Sequence, residues 1–254
     1  MLNKQALFTA LIVLLVVSGV SRQCFAEDDD RVGRHLIMIV DYSGSVGENL
    51  PKYWEAVTLV TGCRSPGIKV KKKDLCKKIT GDEQITIFKI TGQSSRKPDI
   101  IADMYFRKKG TWESKLKYDK EVRKSKLAFK EQIARAFSGA AKANNTEIIA
   151  AIRLSKLYFD DVNAKQKKLI ILSDMIEESE FFNFQKKKVL PGKIIETEKK
   201  GSRLPDLNGI NVYVSGAYAG TQKKYDEVKN FWETYFNEAG AVLKCYRPQM
   251  ITFD

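Results

Sequence analysis

The sequence contains one histidine, His35, and this scarcity limits the catalytic chemistry open to the chain. His35 begins an apolar run that Asp41 ends, and at ~3.3 Å per residue a strand of that length separates them by about 20 Å. His35 therefore cannot serve as the base for a serine near Asp41. The sequence also lacks a Gly-x-x-x-x-Gly-Lys phosphate loop and a Gly-x-Gly-x-x-Gly motif. These absences predict a protein that is not an enzyme.

The apolar run over residues 6–20 is shorter than the ~20 residues that span a bilayer. Lys4 precedes this run, and Cys24-Phe25-Ala26 follows it and ends in the small residue that a signal peptidase requires. We therefore predict a cleaved signal peptide over residues 1–26, an acidic tail over residues 27–34 and one domain over residues 35–250. This organisation predicts a periplasmic or secreted protein.

Cysteine is also scarce, with four in the sequence, of which Cys24 leaves with the signal. Cys63 and Cys76 bound one loop, so we predict a disulfide between them in an oxidising compartment. Closing a loop of this length stabilises the fold by roughly 3 kcal/mol in the chain-entropy model. Cys245 lies in a strand-like run and is predicted to be a buried free thiol. The cysteine spacings fit no zinc site.

Acidic residues are outnumbered, at 31 against 44 lysines and arginines. Removing residues 1–26 takes away two basic residues and no acid, which leaves 42 against 31, or +11. This excess indicates either a soluble, self-repelling surface or attraction to an acidic protein or an anionic envelope surface. The secretory signal argues against nucleic acid as the partner. The candidate contacts for an anionic partner are Lys71, Lys72, Lys73, Lys186, Lys187 and Lys188.

The apolar run over residues 35–40 predicts a strand covered on both faces, as in a parallel α/β sheet. Asp41-Tyr42-Ser43-Gly44-Ser45 follows it, at the end of the strand where ligands of such sheets bind. Asp41, Ser43 and Ser45 alternate, so their oxygens can face one pocket, although the same pattern is typical of a polar turn. One carboxylate and two hydroxyls suit a small divalent cation such as Mg²⁺.

Two later segments add oxygen ligands to this pattern. Thr146 precedes an apolar helical pattern and is predicted as the helix N-cap, and Asp174 ends a second predicted buried strand over residues 168–174. At these residues the sequence resembles the von Willebrand factor A domain family over residues 35–250. The metal-ion-dependent adhesion site of that family is Asp-x-Ser-x-Ser followed by a distant Thr and a distant Asp. The corresponding residues of this sequence are Asp41, Ser43, Ser45, Thr146 and Asp174.

The resemblance implies an α/β fold: a doubly wound, mostly parallel six-stranded sheet with helices on both faces and an antiparallel edge strand. It also implies Mg²⁺, with Mn²⁺ or Ca²⁺ as alternatives, held directly by Ser43, Ser45 and Thr146 and through water by Asp41 and Asp174. Such a cation keeps one position for an Asp or Glu carboxylate of a protein partner. The predicted function is an extracytoplasmic adhesion-type module, and the alternative is a structural subunit of an envelope or conjugation-type machine in which the metal site is not essential.

One departure from the family follows Asp174, where Met175-Ile176-Glu177-Glu178 stands in place of the glycine of many members. Either glutamate could occupy the open metal position or repel an acidic partner. Elsewhere, Phe181-Phe182-x-Phe184 indicates either core or an exposed contact patch, and residues 181–208 are predicted to be irregular. The remaining pattern alternates strands (84–90, 99–106, 210–215, 242–246) with helices (49–61, 115–143, 146–159, 222–238), with a hairpin joining the first two of these strands. Val122, Phe129, Ile133 and Phe137 form an apolar stripe on the longest helix, which favours core packing over a partner-binding face.

Overall fold

The computed structural model describes residues 31–44, 49–63, 75–92, 94, 99–138, 143, 145–186 and 188–249. From Val32 onward these residues belong to one compact unit. The strands are β1 (Val32–Asp41), β2 (Glu83–Ile90), β3 (Asp99–Phe106), β4 (Ala164–Leu172), β5 (Ile210–Ser215) and β6 (Val242–Arg247). The helices are α1 (Leu50–Thr61), α2 (Lys115–Ser138), α3 (Ile148–Asp161), α4 (Pro191–Lys200) and α5 (Gln222–Glu238). Within these ranges, no helix combines the length and the apolar character that crossing a bilayer requires.

All six strands lie in one sheet, in the order β3-β2-β1-β4-β5-β6. Every pairing is parallel except that of β2 with β3, which is antiparallel. This arrangement confirms the predicted fold class and the predicted hairpin. β1 lies in the middle of the sheet, and because its neighbours β2 and β4 run parallel to it, the carboxyl ends of all three strands meet at one edge. Asp41 therefore stands at the edge where ligands of open α/β sheets bind.

Two apolar cores cover the two faces of the sheet, and alternate residues of β1 belong to different cores. Leu36, Met38 and Val40 pack with α1 and α2, whereas Ile37 and Ile39 pack with α3, α4 and α5. This alternation confirms that β1 is covered on both faces. The stripe on α2 is core packing, as predicted, because its central residues Phe129 and Ile133 are fully buried and Phe137 packs against them at the edge of the same core.

Several elements differ from those that the sequence predicts. β4, predicted over residues 168–174, spans Ala164–Leu172. β1 begins at Val32 rather than at His35, because Val32 pairs with Ala164 of β4. α2 ends at Ser138, and Ala143, the predicted last residue, forms an isolated parallel bridge with Ser43. The segment predicted to be irregular contains α4, which begins at a proline. Proline fits the first turn of a helix because the backbone N–H that it lacks has no intrahelical partner there.

The disulfide joins Cys63 and Cys76 as predicted. Gly62 ends α1 in a left-handed conformation, with φ of 69°, and a Cβ there would lie 2.8 Å from the backbone nitrogen of Lys78. Glycine is therefore required where the chain turns from α1 towards the disulfide. Cys245 is free, as predicted, but it is only partly buried, so the prediction of a buried thiol is wrong. Its burial still raises the pKa of the thiol above its usual value.

Candidate functional site

The carboxylate of Asp41 is fully buried at the end of β1 and is held by neutral donors. Its Oδ1 accepts a hydrogen bond from the backbone N–H of Ser43 at 2.8 Å, and its Oδ2 accepts one from the Ser173 hydroxyl at 2.6 Å. Burial raises the pKa of Asp41, these hydrogen bonds lower it in part, and the nearby carboxylate of Glu178 raises it further. Among the described residues, no lysine or arginine forms an ion pair with Asp41. The charged form of Asp41 therefore has no cationic side chain among the described residues to offset its burial.

Ser43 is buried directly after Asp41, in a short loop that is fastened to the segment preceding Thr146. The backbone N–H of Gly44 donates to the Ala143 carbonyl at 3.0 Å, and the N–H of Ala143 donates to the Tyr42 carbonyl at 2.9 Å. These bonds bring the loop after β1 beside the residues that lead into α3. Ser45, the other serine of the predicted site, lies outside the described residues.

Thr146 is buried near this loop, but its predicted role as a helix N-cap is wrong. α3 begins at Ile148 with Glu147 at the N-cap position, and the Glu147 side chain does not form a capping hydrogen bond. Thr146 instead exchanges two backbone hydrogen bonds with Glu178, at 3.0 and 2.9 Å. The backbone of Thr146 is thereby fixed to the segment that follows β4, and the helix does not take up its hydroxyl.

Asp174 lies two residues beyond the end of β4, in a turn that is anchored to the core. Its Oδ1 accepts a hydrogen bond from the Ile176 N–H at 2.9 Å, and its carbonyl accepts one from the Tyr218 N–H at 3.1 Å. Met175 is fully buried and left-handed, with φ of 67°. A left-handed residue other than glycine costs roughly 1–2 kcal/mol. The position at which this sequence departs from the glycine of the resembled family thus retains a backbone conformation that favours glycine.

Glu177 is directed to a helix terminus and not to the rim of the site. Its side chain is buried, and Oε2 accepts a hydrogen bond from the Ile149 N–H of the first turn of α3 at 3.0 Å. Burial raises the pKa of Glu177 to about 7, and hydrogen bonds from Ile149, Ser179 and Ile148 offset that rise in part. Of the two glutamates that could occupy the open metal position, Glu177 is thus bound at the start of α3 instead. Glu178, which is partly buried, is the acid whose charge reaches Asp41.

Two residues near the site were not predicted from the sequence. Ser173 joins the carboxyl ends of β1 and β4 through its bond to Asp41, and its only sequence signal is its place directly after β4. Tyr53 of α1 is fully buried, and its hydroxyl has no hydrogen-bond partner among the described residues. The pKa of Tyr53 is raised well above its usual value, mainly by burial and also by the charges of Asp41 and Asp174. The phenol therefore lies near both carboxylates.

The predicted metal ligands are thus described to different extents. Asp41, Ser43, Thr146 and Asp174 are all buried at the carboxyl edge of the central strands, and Ser45 is not described. Within the described ranges, no three His, Cys, Asp or Glu side chains lie together as a metal site. A cation at this edge would therefore depend on hydroxyl ligands in addition to carboxylates. Of the predicted partner contacts, Lys186 and Lys188 are exposed, and Lys71, Lys72, Lys73 and Lys187 lie outside the described residues.

No protein-family model matches the chain, and no curated protein is similar to it in sequence. Solved structures do resemble it. Proximal thread matrix protein 1 from the mussel byssus is 12% identical, with a TM-score of 0.42, over 87% of this chain and 43% of its own. A von Willebrand factor type A protein from Catenulispora acidiphila is 11% identical, with a TM-score of 0.45, over 85% and 39%. The pilus adhesin SpaC from Lactobacillus rhamnosus GG is 10% identical, with a TM-score of 0.48, over 86% and 28%.

The chain thus spans less than half the length of each of these three proteins. Its fold class is established by its own topology: a sheet in the order β3-β2-β1-β4-β5-β6, parallel except for β3, with helices packed on both faces. That arrangement is the one that the sequence resemblance implies. On this basis, the chain has a von Willebrand factor A-like α/β fold.

Proposed function

We propose that this protein is an extracytoplasmic adhesion-type module that binds a divalent cation through Asp41, Ser43, Ser45, Thr146 and Asp174. The observation that carries the proposal is the environment of Asp41. Its carboxylate is fully buried, is held by neutral donors and lies near the charge of Glu178, and no described lysine or arginine neutralises it. A buried carboxylate in such surroundings is stabilised by a nearby cation.

The donor set also fits a hard cation. Carboxylate and hydroxyl oxygens are suited to Mg²⁺, and also to Mn²⁺ or Ca²⁺, whereas zinc and copper favour nitrogen and sulfur ligands, which the proposed set does not contain. The unpartnered hydroxyl of Tyr53, close to both carboxylates, is a further polar group that a hydrated cation would satisfy. Ser43 and Thr146 would supply hydroxyl ligands, and Asp41 and Asp174 would set the charge.

A cation bound mainly by neutral hydroxyls would stay electron-poor and accept a carboxylate from a protein partner as a further ligand. The residues of this chain would fix the position of that contact, because Asp41 is joined to Ser173 and Thr146 is joined to Glu178 across separate segments. The partner would therefore be an acidic protein surface that offers an Asp or Glu side chain.

Isothermal titration of the purified protein with MgCl₂ tests cation binding. Asp41→Asn keeps an oxygen that can accept the Ser43 N–H bond, places an amide NH₂ that can donate to the Ser173 hydroxyl oxygen, and removes the buried charge. We expect this variant to fold and to lose roughly 10- to 100-fold in Mg²⁺ affinity. Asp160→Asn, at an exposed ion pair with Lys156, is the matched control and should bind Mg²⁺ as the unmodified protein does. Equal affinity in Asp41→Asn and the unmodified protein would refute the proposed site.

A second measurement separates adhesion from a structural role. The protein is used to capture partners from an envelope extract, first with Mg²⁺ and then with EDTA. Metal-dependent adhesion requires that a captured protein be released by EDTA and not be retained by Asp41→Asn. Capture that is the same in all three conditions would favour the alternative, a structural subunit whose metal site is not essential.

A further inference from the structure

A short hairpin beyond Asp174 extends the site edge outwards. Glu178 pairs with Thr146 on one side and with Asn183 on the other, so three segments lie side by side. The Ser179 N–H donates to the Phe182 carbonyl at 2.8 Å, and the Phe184 N–H donates to the Glu177 carbonyl at 2.9 Å. These bonds hold the hairpin in one conformation. Phe181 stands at its tip with 74% of its surface exposed.

A groove of about 230 Å³ lies between this hairpin and α4. Its apolar lining includes Phe181, Phe182, Leu190 and Ile194. The floor is rigid, because Phe184 is buried and packs edge-on against Phe231 of α5, with ring centroids 4.7 Å apart. Leu190 is 47% exposed, whereas Ile194 is only 9% exposed. The apolar surface is therefore recessed, and it suits a side chain that protrudes from a partner.

The charge around the groove is of one sign. Lys188 and Lys193 line it, Lys186 is exposed beside it, and no Asp or Glu is part of the lining. Among the described residues, none of these three lysines forms an ion pair with a carboxylate. A partner segment that carries carboxylates next to its apolar side chain would complement this rim.

The groove lies close to the proposed cation site. Thr146, Glu178 and Asn183 are adjacent in the three-segment ladder, and Asn183 also lines the groove. Neighbouring strands are ~4.8 Å apart, so about 10 Å separates the backbone of Thr146 from that of Asn183. An extended peptide rises ~3.4 Å per residue, so roughly three residues cover that distance.

We infer that this groove binds an apolar side chain of the same acidic protein segment whose carboxylate the cation accepts. The inference rests on the proposed function and adds a sequence preference to it: a leucine or phenylalanine roughly three residues from an aspartate or glutamate. Phe181 and Leu190 cover the apolar side chain, and the lysines of the rim attract the flanking carboxylates. An anionic membrane surface would also attract lysines, but it offers no protruding side chain to fill a recessed groove.

Fluorescence anisotropy with two labelled peptides tests the inference. In the first peptide leucine alternates with aspartate, and in the second serine replaces every leucine. In Mg²⁺, the unmodified protein should bind the leucine peptide roughly tenfold more tightly, the equivalent of about 1.4 kcal/mol and of partial burial of one leucine. The double variant Phe181→Ser and Leu190→Ser should lose this preference and should fold, because both side chains are exposed.

Leu116→Ser is the matched control, because Leu116 is 82% exposed on α2 and no part of the groove. It should retain the preference for leucine. Equal binding of the two peptides, a preference that survives in the double variant, or no binding up to about 1 mM peptide, the weak limit of measurable association, would each overturn the inference. The inference would also be overturned if the unmodified protein bound vesicles of anionic phospholipid in place of the peptides and the double variant did not bind those vesicles.

The same titrations distinguish the groove from the metal site. If EDTA and Asp41→Asn leave the affinity for both peptides unchanged while the leucine preference remains, the proposed cation bridge fails and the groove stands. If EDTA weakens the binding of both peptides equally but the double variant binds them as the unmodified protein does, peptide binding in the groove is refuted and the proposed function stands. If EDTA weakens binding and the double variant loses the preference for leucine, both the cation bridge and the groove are supported.

Discussion

Replacing Glu177 with glutamine should make the protein more stable at alkaline pH. Glu177 is buried, and its pKa is raised from 4.5 to about 7, chiefly by burial. Because the folded pKa lies above the unfolded value, the folded protein binds more protons than the unfolded chain between these two pH values, and its stability falls as pH rises through that window. At about 1.36 kcal/mol per pH unit, the loss reaches about 3 kcal/mol above pH 7.

Glu177→Gln should remove this pH-dependent loss of stability, because glutamine does not ionise. The amide oxygen can still accept the Ile149 N–H, and a neutral side chain resembles the protonated glutamic acid that the fold favours. We expect equal free energies of unfolding near pH 4.5, and a variant that is more stable by about 3 kcal/mol near pH 8. Urea unfolding across this range, with EDTA throughout, measures the difference. Other titrating groups, such as the buried His35 with its pKa lowered to about 4, affect both proteins equally.

Glu180→Gln is the control, because Glu180 is exposed on the same hairpin. Its difference from the unmodified protein should not depend on pH. A difference for Glu177→Gln that is constant from pH 4.5 to 8 would refute the argument, because Glu177 would then ionise in the folded protein as it does in the unfolded chain. A variant that is less stable at pH 8 would show that the charged form is favoured at the helix terminus.

Three further predictions concern other parts of the structure. Cys63→Ser with Cys76→Ser should lower the free energy of urea unfolding by roughly 3 kcal/mol; no change on reduction of the unmodified protein would contradict this. Ser173→Ala removes a hydroxyl donor from the buried Asp41 carboxylate and should lower the free energy of urea unfolding by roughly 2 kcal/mol. It should also weaken Mg²⁺ binding. Unchanged stability would show that the fold does not depend on this hydrogen bond. Lys186→Glu with Lys188→Glu should slow association with an acidic partner, with little change in dissociation, in surface plasmon resonance at low salt; an effect as large at 1 M salt, where the screening length is about 3 Å, would exclude long-range attraction.

Local patterns in the sequence were sufficient for most of the fold. β5 and α5 have the boundaries predicted for residues 210–215 and 222–238, and the pairing of β2 with β3 follows from two strands joined by a short turn. These predictions succeeded because apolar periodicity and turn residues act over a few neighbouring positions. α4 was missed although signals were present: a proline suited to a first turn, and buried Ile194 and Glu198 four residues apart on one side.

The candidate site was predicted less completely. The sequence indicated the acids at the ends of β1 and β4, because Asp41 follows an apolar run directly and Asp174 follows one after a single serine, and the structure places both at one edge of the sheet. It gave the wrong role to Thr146, because a threonine before a helical pattern is a common N-cap and nothing local shows that Glu178 takes its backbone bonds. Whether Ser45 joins these ligands remains a prediction.

The sequence by itself determined which oxygen-bearing residues follow the buried strands, and where the six strands and four of the five described helices form. Only the tertiary structure decided which of those residues contact one another. Glu177 reaches Ile149 across 28 positions of the chain, and Ser173 reaches Asp41 across 132. The physical reason is that such bonds depend on the register between β1 and β4 and on how α3 packs against the sheet, and both are set by the burial of many distant side chains together.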